Sequence, residues 1–361
     1  MDFNLVASTF DTLRITPPSK LTLLDAQEFT SRHYPPMPPD LDTLIIGIDS
    51  QELALQVKNV LLGVYPAEHG VFVVEQGKRK EERLADLDRV DFSSSICLYI
   101  PSLGEGTSFE SFAEIVAHLR APNGCPWDRE QTHQTLRTHL LEEAYETLSA
   151  MDGNDADGMR EEFGDLFLQI LLNSQIASEA KEFTITNVIK SINDKLIRRH
   201  PHVFGDVQVD GVDGVLQNWE KLKEKERGKK KEEKGILDGV PAALPALTQA
   251  QEYQDRAARV GFDWPQIDGV LDKVREEIEE IKSAEADFEL ASEIGDLLFV
   301  LVNFARWKHV DAESVLRGTN AKFKKRFAFV EQGAKKQGRN LSDMTLEEMD
   351  LLWNEAKQAG I

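Results

Sequence analysis

Glu142, Glu143 and Glu146 lie in the stretch HLLEEAYETL, and the same spacing returns in KVREEIEEI as Glu276, Glu277 and Glu280. On a helix of 3.6 residues per turn the first and last glutamates of such a set stack one turn apart, and the middle one reaches the same face. Each set is followed by a second acidic pair at one-turn spacing, Glu162 with Asp165 and Glu293 with Asp296. One cluster of this kind is ordinarily a solvated helix face. Two copies in the same order need a common reason. If the two acidic helices of a copy pair antiparallel, four or five carboxylates meet, and a face so charged requires a counter-cation. Hard oxygen donors without paired Cys or His ligands favour Mg²⁺, or Mn²⁺ in its place, over zinc or iron.

A basic helix follows each acidic pair. DKLIRRH carries Lys195 and Arg199, AKFKKRF carries Lys322 and Arg326, and each pair is spaced to share one helical face. A tryptophan closes each copy, Trp219 and Trp353. Taken singly, the cations are ordinary surface charges and the tryptophans core or interface aromatics. Taken in order, they describe a polyphosphate site: Mg²⁺ on carboxylates completes its shell with substrate phosphates, and Lys and Arg neutralise the remaining phosphate charge. A di-iron bundle would need Glu-x-x-His twice. Glu130 and His133 supply it once, and the later copy has no equivalent. His200 and His202 read as helix-terminal residues before a turn, and Trp127 as a structural residue of one.

These residues must be carried by helices, and the sequence divides accordingly. LDTLIIGID, GVFVVEQG and SICLYIPSL are strand-like, with a helical SQELALQVKNVLLGVY between the first two. Beyond a shift in composition at Gly104 to Ser108, apolar residues recur at three- and four-residue spacing. The fold class is therefore mainly α, two tandem all-α helical bundles behind a small N-terminal α/β domain. Turn landmarks recur as well, GCPWD answering GFDWP. The boundaries expected are 1–105 for the α/β domain, 106–225 for the first repeat, 226–245 for a linker and 246–361 for the second repeat. The lysine-rich tract Lys221 to Lys234, interleaved with glutamates, and the proline-marked DGVPAALPAL belong to the connection.

With 361 residues, 41% hydrophobic and 29% charged, the chain can bury a substantial core. Its net charge of -21 argues against a nucleic-acid surface. No apolar run is long enough to span a bilayer and the start lacks a signal-peptide layout, so a cytoplasmic protein is expected. Cys97 and Cys125 are far apart and read as ordinary thiols.

NGCPWDREQTHQTLRTHLLEEAYE, RRHPHVFGD, LPALTQAQEYQDRAARVGFDW and EIGDLLF together resemble the MazG family of nucleoside triphosphate pyrophosphohydrolases in its tandem form. The likeness covers roughly residues 106 to 361. It implies an all-α bundle, a homodimer, Mg²⁺ dependence and cleavage of NTP or dNTP to the monophosphate and pyrophosphate. Carried over by position, Glu276, Glu277, Glu280, Glu293 and Asp296 hold the metal, while Lys273, Lys322, Arg326 and Trp353 contact nucleotide. The earlier copy offers Glu142, Glu143, Glu146, Glu162 and Asp165, with Lys195, Arg199 and Trp219. Departures exist: Ser292 stands where relatives often have another acid, Glu289 where a lysine can occur, and His139 where the later copy has Lys273.

The N-terminal part resembles, more weakly, the later half of a tetrapyrrole methylase domain. The glycine-rich cofactor half is missing from this sequence, so a scaffold or assembly role is expected rather than methyl transfer. The chemistry expected is attack of a metal-activated water on the α-phosphorus, with a glutamate of the EExxE set as base. The rival, a non-catalytic nucleotide-sensing or dimerisation module, would need broken acidic sets, and both are intact.

Overall fold

The computed structural model describes residues 3–90, 96–212, 214–215, 218–219, 222 and 235–361. Most of the lysine-rich tract and the first part of the expected linker therefore lie outside the described residues. The chain divides into two compact units, Met1–Leu148 with Ala156–Lys195, and Ser149–Asp155 with Leu196–Ile361.

The first unit opens with α1 (Phe3–Leu13), β1 (Leu21–Asp25), β2 (Asp42–Ile48), α2 (Gln51–Leu61), β3 (Gly70–Glu75), β4 (Lys78–Arg83) and β5 (Ile96–Ile100). The strands form one sheet in the order β1-β2-β5-β3-β4, parallel only between β1 and β2. All five residues of β5 are buried, which explains its unbroken apolar run: helices cover both faces. On one face Ile45, Val71, Val73 and Leu98 pack with Leu53, Val57 and Leu61 of α2. On the other, Leu44, Cys97 and Tyr99 meet Phe10 and Leu13 of α1.

One of these strands has no signal of apolar alternation. β4 reads KRKEER; it is set by the two-residue turn at Gln76 and Gly77, where φ is 47° and 73°. Positive φ at both central positions is the hairpin geometry that matches strand twist. The compositional shift at Gly104 to Ser108 coincides with two left-handed glycines, Gly104 and Gly106, and with a capping box at Ser108 that starts α3 (Phe109–Arg120). The same Ser108 hydroxyl donates to Asp40 at 2.6 Å, tying the helix start to the α/β part.

Helices follow: α4 (Pro126–Glu130), α5 (Leu136–Asp152), α6 (Ala156–Glu179), α7 (Ile185–Arg199) and α8 (Pro201–Phe204). Val116, Leu136, Leu171 and Leu172 form the helical core of the first unit. The second unit contains α9 (Ala246–Arg259), α10 (Ile267–Ser283), α11 (Asp287–Trp307), α12 (Ala312–Lys336) and α13 (Leu346–Gln358). α10 and α11 pack along their length, joined by a short turn, as the paired acidic faces require. α12 crosses α13 at Gly333, where an added Cβ would come within 2.8 Å of Leu352. Val330, Ala334, Met344 and Leu352 are buried there.

Candidate metal and nucleotide site

α10 presents Glu277 and Glu280 to Glu293 of α11, each residue offering an oxygen within 4.8 Å of the others. Glu277 is 2% exposed, an extreme burial for a carboxylate. Its Oε1 pairs with Lys273 Nζ at 2.7 Å, and its Oε2 is shielded from solvent without any hydrogen-bond donor. A buried carboxylate oxygen without a partner is costly, and a hard divalent cation is a partner that suits it and its two acidic neighbours. The residues present therefore fit Mg²⁺ or Mn²⁺.

The electrostatics agree. Burial, opposed by Lys273 and reinforced by Glu277 and Glu276, holds the Glu280 carboxyl above its ordinary range. Burial together with Glu280, Asp296 and Glu277 does the same to Glu293. Lys273, bonded to Glu276 and Glu277, is held well above the usual lysine range and is a committed ammonium.

The first unit repeats the arrangement. Glu143 and Glu146 of α5 meet Glu162 of α6 within the same 4.8 Å. Thr147 links the helices, its hydroxyl donating to the Glu162 carbonyl at 3.4 Å. Burial, then Asp165, Glu146 and Glu162, raise Glu143; burial, then Glu146, Asp165 and Glu161, raise Glu162. At the position matching Lys273 this set has no lysine. His139 occupies that position, 3.3 Å from Glu142 rather than on Glu143, with Trp127 edge-on against its ring.

In both copies the second and last glutamates of EExxE converge, and the first does not. Glu142 and Glu276 are exposed; Glu276 pairs with Lys273, and Glu142 lies beside the His139 ring. Asp165 and Asp296 lie outside the 4.8 Å sets, yet both act electrostatically on them. Trp127, read as a structural turn residue, is 55% exposed. His133 bonds Asn173 at 2.7 Å, and His200 Nδ1 meets the Leu196 carbonyl at the end of α7.

Of the basic residues, Lys195 and Lys322 are exposed, while Arg199 and Trp219 are half-buried. Arg326 and Trp353 come together: the guanidinium lies over the indole. Phe323 also packs on Trp353, with ring centroids 5.2 Å apart. Phe323 escaped the sequence reading, although it precedes Arg326 by three residues on one face of α12. An anchor ahead of α10 was also missed. Asp263 Oδ1 accepts from Arg306 at 2.7 Å, Trp307 Nε1 at 3.1 Å and the Trp264 amide at 2.9 Å. Trp264 in turn lies on Gly269, where an added Cβ would sit 2.3 Å from its ring.

The description MazG nucleotide pyrophosphohydrolase domain matches this chain in two regions, residues 131–204 and 267–329. Those regions contain both carboxylate sets and both Lys/Arg pairs. The nucleoside triphosphate pyrophosphohydrolase/pyrophosphatase MazG of Thermotoga maritima is 44% identical over 252 residues, covering 70% of this chain and 96% of that protein. The nucleoside triphosphate pyrophosphohydrolase of Escherichia coli K12 is 43% identical over 253 residues, covering 68% and 96%. A Bacillus subtilis protein of uncharacterized function, YabN, is 43% identical over an aligned 370 residues, 97% of this chain and 74% of its own length. The two matched regions hold both carboxylate sets, the two pyrophosphohydrolase relatives are matched over nearly their whole length, and the chain belongs to the MazG family of nucleotide pyrophosphohydrolases.

Proposed function

We propose that the protein hydrolyses nucleoside triphosphates, NTP or dNTP, to the monophosphate and pyrophosphate, with Mg²⁺ as cofactor and Mn²⁺ as its substitute. The observation that carries this reading is the buried, donorless Glu277 oxygen in a triad with Glu280 and Glu293. The bound cation would neutralise triphosphate charge and stabilise the departing pyrophosphate. Glu277, Glu280, Glu293 and Asp296 would hold it. A glutamate of the set Glu276, Glu277 and Glu280 would take the proton of the water attacking the α-phosphorus. Lys322 and Arg326 would bind phosphate oxygens, Trp353 would stack on the base, and Lys273 would stand beside the phosphates.

The two matched regions are read as tandem repeats, with Glu143, Glu146, Glu162 and Asp165 as metal ligands and Lys195, Arg199 and Trp219 as nucleotide contacts in the first. The second is the working site, because a lysine backs its buried ligand there. The chain would assemble as a homodimer. Ile189, Ile192, Leu196 and Ile197 of α7 are exposed, and a second copy would give them an apolar partner. The α/β part, similar to the later half of a tetrapyrrole methylase, would serve assembly. Among the described residues no helix is long and apolar enough to cross a membrane.

Phosphorus NMR of a panel of NTPs and dNTPs incubated with the protein and Mg²⁺ tests the reaction. Monophosphate and pyrophosphate must appear together. Orthophosphate and diphosphonucleoside as first products, or no turnover with any nucleotide, would sink the proposal.

A further inference from the structure

Lys273 Nζ lies 2.7 Å from Glu276 Oε1 and 2.7 Å from Glu277 Oε1, reaching one turn along α10. Its ammonium therefore spends its contacts on the carboxylates. Glu277 is left with one engaged oxygen and one buried oxygen that has no donor. A buried glutamate in a three-acid cluster would otherwise turn either oxygen inward, or turn away from its neighbours; the lysine takes one oxygen and fixes the plane of the other. The earlier copy lacks this clamp. His139 meets the exposed Glu142, not Glu143, and Glu143 is only half-buried.

We propose that Lys273 is a positioning residue for the cation ligand Glu277, so that the second carboxylate set holds a divalent cation before any nucleotide arrives, whereas the first does not. The proposal rests on the metal-dependent reading above and deepens it. Lys273 acts through Glu277, presenting a single oxygen of fixed orientation to the cation. Partners that orient metal ligands in this way are worth about ten- to hundredfold in metal affinity. Arg275, on the same helix, is exposed and bonded to Asp272 instead.

The test is Mn²⁺ binding to the full chain without nucleotide, followed through the electron paramagnetic resonance of the free ion. Wild-type protein should bind one tight Mn²⁺ per chain, and Glu280→Gln should remove that tight site. Lys273→Met, similar in length but uncharged, should weaken it by about ten- to hundredfold, and Lys273→Gln should behave alike. Lys273→Arg, which keeps donors for both carboxylates, should recover most of the affinity. Unchanged or tighter Mn²⁺ binding in Lys273→Met and Lys273→Gln would overturn the proposal, since Lys273 would then compete with the cation or serve nucleotide alone. Equally, a wild-type chain that takes up no Mn²⁺ until nucleotide is added would overturn it. Pyrophosphate release by the wild type, measured on the same preparations, separates this outcome from failure of the hydrolase reading.

Discussion

The Arg326 guanidinium lies over the face of Trp353, its central carbon 5.7 Å from the ring centroid, and donates from Nε to the Ile361 carbonyl at 2.7 Å. Two residues proposed to contact nucleotide thus face each other. Arg326 keeps the indole plane covered on one side, and Phe323 packs on the same ring. A base stacking on Trp353 has to share or exchange these contacts, so nucleotide binding should be felt by the arginine.

Base stacking on an aromatic is worth about 1–3 kcal/mol, so Trp353→Ala should weaken nucleotide binding roughly ten- to hundredfold. Trp353→Phe should lose much less. Calorimetry with a slowly hydrolysed triphosphate analogue checks this, and equal affinities for all three proteins would remove Trp353 from the site.

Glu280→Gln keeps the side-chain shape and removes one ligand charge beside the buried Glu277. Pyrophosphate release should fall by about two orders of magnitude or more. Glu146→Gln, in the set without a lysine clamp, should cost much less. The reverse ranking in parallel assays would make the first set the catalyst.

The metal-free protein should show a characteristic response to pH. Burial and neighbouring acids raise Glu143, Glu162, Glu280 and Glu293, so the folded chain keeps protons that the unfolded chain releases. The stability linked to these groups is fully present below the ordinary carboxylate pKa and declines as pH rises through the raised values. Glu179 and Glu348, lowered chiefly by Arg120 and Arg339, act in the opposite sense on the whole protein. The diagnostic quantity is therefore the rise in Tm caused by Mg²⁺, which should be larger near pH 7.5 than near pH 5. A chelator should abolish both this rise and turnover; full activity in metal-free buffer would contradict the scheme.

Asp263→Ala should destabilise the protein by about 1–3 kcal/mol, because it removes the acceptor of the Trp307 indole N–H and the Trp264 amide and leaves Arg306 only its bonds to Asn303. Urea unfolding measures the loss. A midpoint within error of wild type would mean that the anchor contributes nothing to the start of α10.

The convergence of the carboxylates in the candidate site was legible in the sequence because a helix has one period. Glu277, Glu280 and Glu293 could be placed on facing surfaces from spacing alone, and α10 and α11 pair as the turn between them requires. What spacing could not decide is which member of EExxE turns inward. The outcome depends on how α10 is rotated against its neighbour, and Trp264 on Gly269 is one of the contacts at that helix start. The sheet was partly legible. β2, β3 and β5 announce themselves through buried apolar residues, whereas β4 is all charge and exists because Gln76 and Gly77 turn the chain back onto β3. The association of Phe323 and Arg326 with Trp353 joins α12 to α13, and no local pattern encodes a contact between helices.

That charged strand governs how the α/β part behaves in a crowded solution. β4 is an outer strand of the sheet, and Lys78, Arg79, Lys80 and Arg83 line it beside only two glutamates. An extended segment from another molecule could hydrogen-bond to this margin only by stripping water from those cations. Fibril growth and edge-to-edge association are thereby disfavoured at the point where an open sheet is otherwise most susceptible. Replacing β4 with alternating valine and threonine should keep the hairpin and its turn, yet shorten the lag before thioflavin-positive aggregates form.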